Sequence, residues 1–127
     1  MKFRAGNCFH AQSITTLKFH LWILLNDPVE ESEGIALVNL TEDTGVDPTI
    51  VLRPEDGVHP FIKKQTMVEY ARPLIMKAQF LRNAIASGKA SKHDQDCPPE
   101  LLAKIRAGVF TSKFSPEKLQ KFCRGLF

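Results

Sequence analysis

The apolar residues of this chain change their spacing once, near Arg72, and that change limits the folds open to it. Upstream, Leu17, Phe19, Leu21, Ile23 and Leu25 occupy every second position, the period of a strand with one face turned inward. Lys18, His20, Trp22 and Leu24 form the opposite face. That face is only partly polar, so the strand is expected to be covered on both sides near its end. Asn26-Asp27-Pro28 turns the chain, and an acidic loop runs from Glu30 to Gly34. Ile35 to Leu40 is a nearly continuous apolar run and reads as a central strand. Thr41 to Gly45 breaks it. Asp47-Pro48 then opens a strand over Thr49–Arg53, which Pro54-Glu55-Asp56-Gly57 closes with turn chemistry. Phe61 to Tyr70, rich in β-formers, reads as a further strand.

Downstream the period is helical. Pro73 suits a first helical position, and Leu74, Ala78, Leu81 and Ile85 follow at helical spacing until Gly88. Lys89 to Cys97 reads as a polar loop. Pro98-Pro99 leads into a second helix striped by Leu101, Leu102, Ile105 and Val109. A third starts with Ser115 as N-cap, Pro116 at the first position and Glu117 at the positive end of the dipole. Strands first and helices last predict an α+β fold. We expect one domain, mainly β over residues 1–72 and mainly helical over residues 73–127, with an antiparallel sheet curled toward a barrel.

A chain of 127 residues is long enough to bury a core without staples. No apolar run approaches the roughly 18 residues of a membrane span, and Met1 to Asn7 is followed by no apolar stretch of the kind a signal peptide needs. Cys8, Cys97 and Cys123 are odd in number and lack CxxC spacing. Reduced thiols and a cytoplasmic location are therefore expected. The net charge of +3 hides an asymmetry. Residues 1–62 hold four Lys/Arg against nine Asp/Glu, and residues 63–127 hold thirteen against five. A basic half of that size draws in polyanions or docks on an acidic partner.

No phosphate-cradling glycine loop, zincin helix or nucleophile elbow is present. His10 follows Cys8 as Cys-x-His, and His93 precedes Cys97 by four, but neither pair has further ligands at matching spacing. No metal and no cofactor is expected. His20 lies on the less apolar face of the first long strand. His59, in the turn Gly57-Val58-His59-Pro60, is placed as an exposed general acid or base. Lys63-Lys64 falls inside the predicted strand, where period 2 sends the two ammonium groups to opposite faces. One of them would then contact phosphate or stabilise charge developing on phosphorus; an edge-strand lysine that blocks aggregation is the other reading. Thr41 stands where polar groups converge at the end of a buried strand, and it is equally a turn former.

Three passages together resemble the MazF/PemK-like toxins. Gly6-Asn7-Cys8-Phe9 with His20 through Pro28 resembles the opening strand and the long second strand. Ile35 to Thr41 resembles the apolar strand that ends in Thr or Ser at the RNA site. Phe61-Ile62-Lys63-Lys64-Gln65-Thr66-Met67 resembles the strand that carries a basic residue. The resemblance covers roughly residues 6–70. It implies a small, partly closed SH3-like barrel followed by C-terminal helices, homodimerisation, and metal-independent cleavage of RNA under the control of an acidic antitoxin-like protein. Catalytic roles would fall on His20, His59, Lys63 and Lys64, and RNA contacts on Thr41, Arg53, Lys63 and Lys64. The chain departs from the family at His20-Leu21, where members usually carry Arg-Pro. It also has lysine where an arginine commonly supports cleavage, which keeps a point charge but loses the bidentate fork. Its helical region from Leu74 onward is longer than the family's tail. These departures keep open a non-enzymatic protein-interaction module on the same barrel.

Overall fold

A computed structural model describes residues 2–12, 19–28, 30 and 32–127; Leu17 and Lys18 lie outside the described residues. Among the described residues, six antiparallel strands form one sheet: β1 (Cys8–Gln12), β2 (Phe19–Leu24), β3 (Gly34–Glu42), β4 (Val51–Leu52), β5 (Thr66–Lys77) and β6 (Ala90–Lys92). Their order across the sheet is β4-β5-β3-β2-β1-β6. The described residues also form three α-helices: α1 (Ala78–Ala86), α2 (Pro99–Thr111) and α3 (Glu117–Cys123).

Period 2 sorts the side chains as the sequence requires, and the sheet is covered on both faces. Leu21 and Ile23 of β2, with Ala36, Val38 and Leu40 of β3 and Val68 and Tyr70 of β5, pack against Leu101, Ile105 and Val109 of α2 and Leu119 and Cys123 of α3. The alternate residues Trp22, Leu24, Ile35 and Leu37 pack on the other face against Ala78 and Leu81 of α1, with Phe3 and Phe9. Each fully buried Leu, Ile or Phe contributes roughly 1.5–3 kcal/mol.

Four sequence expectations are corrected. The strand expected over Phe61–Tyr70 starts at Thr66 and runs on to Lys77, so Pro73 lies inside β5 and the helix begins only at Ala78. The physical reason is the pairing with β3. Gly34 to Leu37 pair with Lys77 to Leu74, Asn39 to Glu42 pair with Glu69 to Thr66, and Tyr70 to Pro73 bulge out opposite Val38. A bulge is where a strand tolerates a residue with no N–H to donate. The polar loop expected from Lys89 contains β6, which pairs with β1. The strand expected over Thr49–Arg53 shrinks to Val51–Leu52, because Pro54–Asp56 winds into a 3-10 turn. Ser115 is not the cap of α3: Pro116 takes that position, and the buried Ser115 Oγ has no hydrogen-bond partner.

The sheet is not closed by ladder hydrogen bonds, since β4 and β6 are its two edges. Side chains nevertheless join the β4–β5 connection to the segment after β6. The His59 and His93 rings lie 4.7 Å apart between centroids, and His10 of β1 contacts both His93 (5.1 Å) and Phe61 (5.7 Å).

Candidate functional site

The β2–β3–β5 registers assemble a groove. Leu21 pairs with Leu40, which sets His20 beside Thr41, and Glu42 pairs with Thr66. The chain approaching Thr66 brings Phe61, Lys63 and Lys64 over the same end of the sheet. The groove encloses about 300 Å³ and is lined by Phe19, His20, Leu40, Thr41, Glu42, Phe61, Lys63, Lys64 and Thr66. His20, Thr41, Lys63 and Lys64, all selected from sequence, therefore come together.

Both lysines line the groove. Lys63 and Lys64 precede β5 and are bent rather than extended, so the alternation that would have separated the two ammonium groups does not operate. Lys64 pairs with Glu42 at 3.4 Å, with both side chains about two-thirds exposed at 66% and 65%. A pair so exposed is worth little and exchanges readily for an incoming anion. Thr66 Oγ1 donates to the Lys64 carbonyl at 2.8 Å. Asp43 fastens the segment from the other side: Gln65 Nε2 donates to its Oδ2 at 2.6 Å, Gly45 N–H donates to its Oδ1 at 2.9 Å, and its own N–H donates to the Gln65 carbonyl. The Gln65 amide, with help from the Gly45 N–H, holds the Asp43 carboxyl below the usual carboxylate range.

His20 Nδ1 lies 3.3 Å from the Leu40 carbonyl. A carbonyl only accepts, so this contact places a ring hydrogen on Nδ1. Phe19, 62% exposed, forms one aromatic wall of the groove and Phe61 the other.

His59 and Arg53 stand apart from it. His59 is buried rather than exposed, and both ring nitrogens are engaged: Nε2 donates to the Gln95 carbonyl at 3.0 Å, and Nδ1 accepts from the Phe61 N–H at 3.0 Å. Arg53 is exposed at the 3-10 turn, its backbone N–H donating to Asp56. Phe19, Phe61 and Thr66 are groove residues that the sequence did not single out. Only the strand register, which composition does not carry, brings them to one place.

The three cysteines are free and buried. Burial pushes the Cys8 and Cys97 thiols up to about 12 and Cys123 to about 11, which leaves no thiolate nucleophile near neutral pH. Among the described residues, no three His, Cys, Asp or Glu side chains are arranged to hold a metal ion. No helix among the described residues is long and apolar enough to cross a membrane.

No family model, no curated protein and no solved structure matches this chain. The functional reading therefore stands on the groove.

Proposed function

We propose that this chain binds single-stranded RNA in the groove between the start of β2, the end of β3 and the segment leading into β5, and cleaves it there without a metal. The observation that carries the reading is the convergence of two lysines, two phenylalanine walls, one imidazole and the Thr41 and Thr66 hydroxyls on one groove. Cationic groups beside aromatic faces are what an unpaired strand requires: phosphates meet ammonium groups while bases stack on rings. The groove's volume suits a nucleotide or two rather than a duplex.

The chemistry uses the RNA's own 2′-hydroxyl. Its oxygen forms a bond to phosphorus as the bond to the 5′-oxygen breaks, leaving a cyclic phosphate and a free 5′-hydroxyl. His20 accepts the 2′-hydroxyl proton, water supplies the proton to the departing oxygen, and Lys63 and Lys64 offset the charge that builds on phosphorus. Thr41 positions the strand. His59 has no part in this step, because its nitrogens already serve the backbone. The same reading takes the curled sheet as a partly closed SH3-like barrel whose ends meet through side chains. It takes the active form as a homodimer restrained by an acidic antitoxin-like protein.

Fluorescence anisotropy with a labelled mixed RNA pool tests the binding. Affinity should fall with salt, and Lys63→Ala and Lys64→Ala should each flatten the log–log slope by about 0.7. Phe19→Ala should weaken binding by roughly 5- to 150-fold, the equivalent of about 1–3 kcal/mol for one lost stacking contact. Incubation of the pool in EDTA tests cleavage, which His20→Asn should abolish while binding persists. RNA binding that none of the groove variants alters would refute the site, and RNA left intact by the unaltered protein would refute the cleavage.

A further inference from the structure

The loop that builds one wall of this groove is held at its far end by three histidines, two of which accept backbone hydrogen bonds that only an unprotonated ring nitrogen can take. His59 Nδ1 accepts the Phe61 N–H at 3.0 Å while Nε2 donates to the Gln95 carbonyl. His93 Nδ1 accepts the Gln95 N–H at 2.9 Å. An imidazolium has no lone pair, so protonating either ring abolishes its accepted bond. The rings also lie against each other, His59 on His93 at 4.7 Å and His93 on His10 at 5.1 Å. Charging two of them places like charges within about 5 Å, where neighbours of one sign repel. We propose that His10, His59 and His93 form a proton-released clasp that fixes the Phe61–Gln65 wall of the groove near neutral pH and frees it in mild acid.

The surroundings favour the neutral form. Burial, and then the neighbouring histidines, hold His10 below its ordinary value, and burial is the largest influence lowering His59. From the segment after β6, Asp96 opposes the effect at His59, but its carboxylate is already engaged by Lys92 Nζ at 3.4 Å and Asn7 Nδ2 at 3.1 Å. Asp94 is exposed on the same segment. Cys8 on β1 and Cys97 before α2 lie behind as neutral thiols. From the β4–β5 connection, Phe61 packs edge-on against His10.

Phe61 is the link to function, because its ring belongs to both the clasp and the groove wall. The consequence for RNA rests on the reading of the groove given above, whereas the clasp itself does not. A groove that loses its wall in acid should bind RNA more weakly.

Hydrogen exchange on the full chain, corrected for intrinsic rates, tests the clasp without RNA. Between about pH 7.5 and about pH 5, protection of the Phe61–Gln65 amides should fall by about tenfold or more, since a histidine kept neutral in the closed form and charged on opening favours opening at pH 5 by up to about 30-fold. The variant His59→Asn/His93→Asn keeps an acceptor for each i+2 amide, as asparagine does in turns, and removes two of the three imidazoles; its protection should fall much less with pH than that of the wild type. His10→Gln, tested separately, should reduce the wild-type fall. Unchanged protection in the wild-type protein, or an equal fall in the double variant, would overturn the proposal. RNA anisotropy over the same pH range reads the groove separately: should RNA fail to bind at all, the functional reading fails and the exchange result still decides the clasp.

Discussion

Gly108 sits in the interior of α2, where replacing glycine with alanine ordinarily stabilises a helix by about 1 kcal/mol. The structure predicts the opposite sign here. A Cβ built on Gly108 would fall inside contact distance of the Tyr70 hydroxyl and the ring carbon that bears it. Tyr70 cannot retreat: it is 0% exposed and packed between β5 and α2, and its hydroxyl donates to the Ile105 carbonyl at 2.7 Å. Burial also raises its pKa, so it remains a neutral donor. Forcing in a methyl group costs about 1–3 kcal/mol, and displacing a buried hydroxyl from its partner costs about 1–3 kcal/mol more. Set against the propensity gain, Gly108→Ala should destabilise the fold by about 1–5 kcal/mol, a fall in Tm of roughly 3–25 °C for a chain of this size. Urea unfolding followed through the buried Trp22 measures it. Tyr70→Phe removes the nearest atom, so the double variant should be less unstable than the sum of the two single variants. If Gly108→Ala matches or exceeds the wild-type stability, the close approach of α2 to the sheet is wrong.

Two further outcomes follow from buried polar groups. Asp47, 3% exposed, ties the loop before β4 to the end of α2: Ser112 Oγ donates to its Oδ2 at 2.7 Å, and the Thr49 hydroxyl and N–H donate to its Oδ1. Ser112 Oγ already accepts the Phe114 N–H, so Asp47→Asn presents it with a donor where it needs an acceptor and should cost about 1–3 kcal/mol in urea unfolding; a variant with the wild-type midpoint would refute the tie. Stability should also fall in mild acid. His10 and His59 have folded-state pKa values below their unfolded ones, so their contribution is complete above about pH 6.5 and is lost as the pH drops through the folded values, because the unfolded chain takes up the protons first. Urea midpoints measured down to about pH 5 should show this decline, and a flat profile there would refute it.

How much of this was legible beforehand depends on which interactions decide each feature. The faces of β2 follow from alternation, the central place of β3 from its nearly continuous apolar run, and the apolar stripe of α2 from helical spacing, because burial writes those patterns directly into the sequence. Pro73 misled: locally it looks like the start of a helix, while pairing with a distant strand keeps it in β5 at a bulge. β6 is three residues long and polar, so only its partner β1 defines it. The groove was half legible. His20, Thr41 and the two lysines stood out by residue type, but Phe19 and Phe61 look like ordinary core candidates until register leaves them at an open end. His59 shows the converse, since a histidine in a turn between glycine and proline reads as exposed until the segment after β6 is seen to cover it.

The most direct test of the groove as the RNA site is a titration of the isotope-labelled protein with short single-stranded RNA, followed residue by residue by NMR. Shift changes should concentrate at Phe19, His20, Thr41, Lys63, Lys64 and Thr66, with little change along α2 and α3 despite their lysines and arginines. Changes confined to those basic helices, or none at saturating RNA, would contradict it.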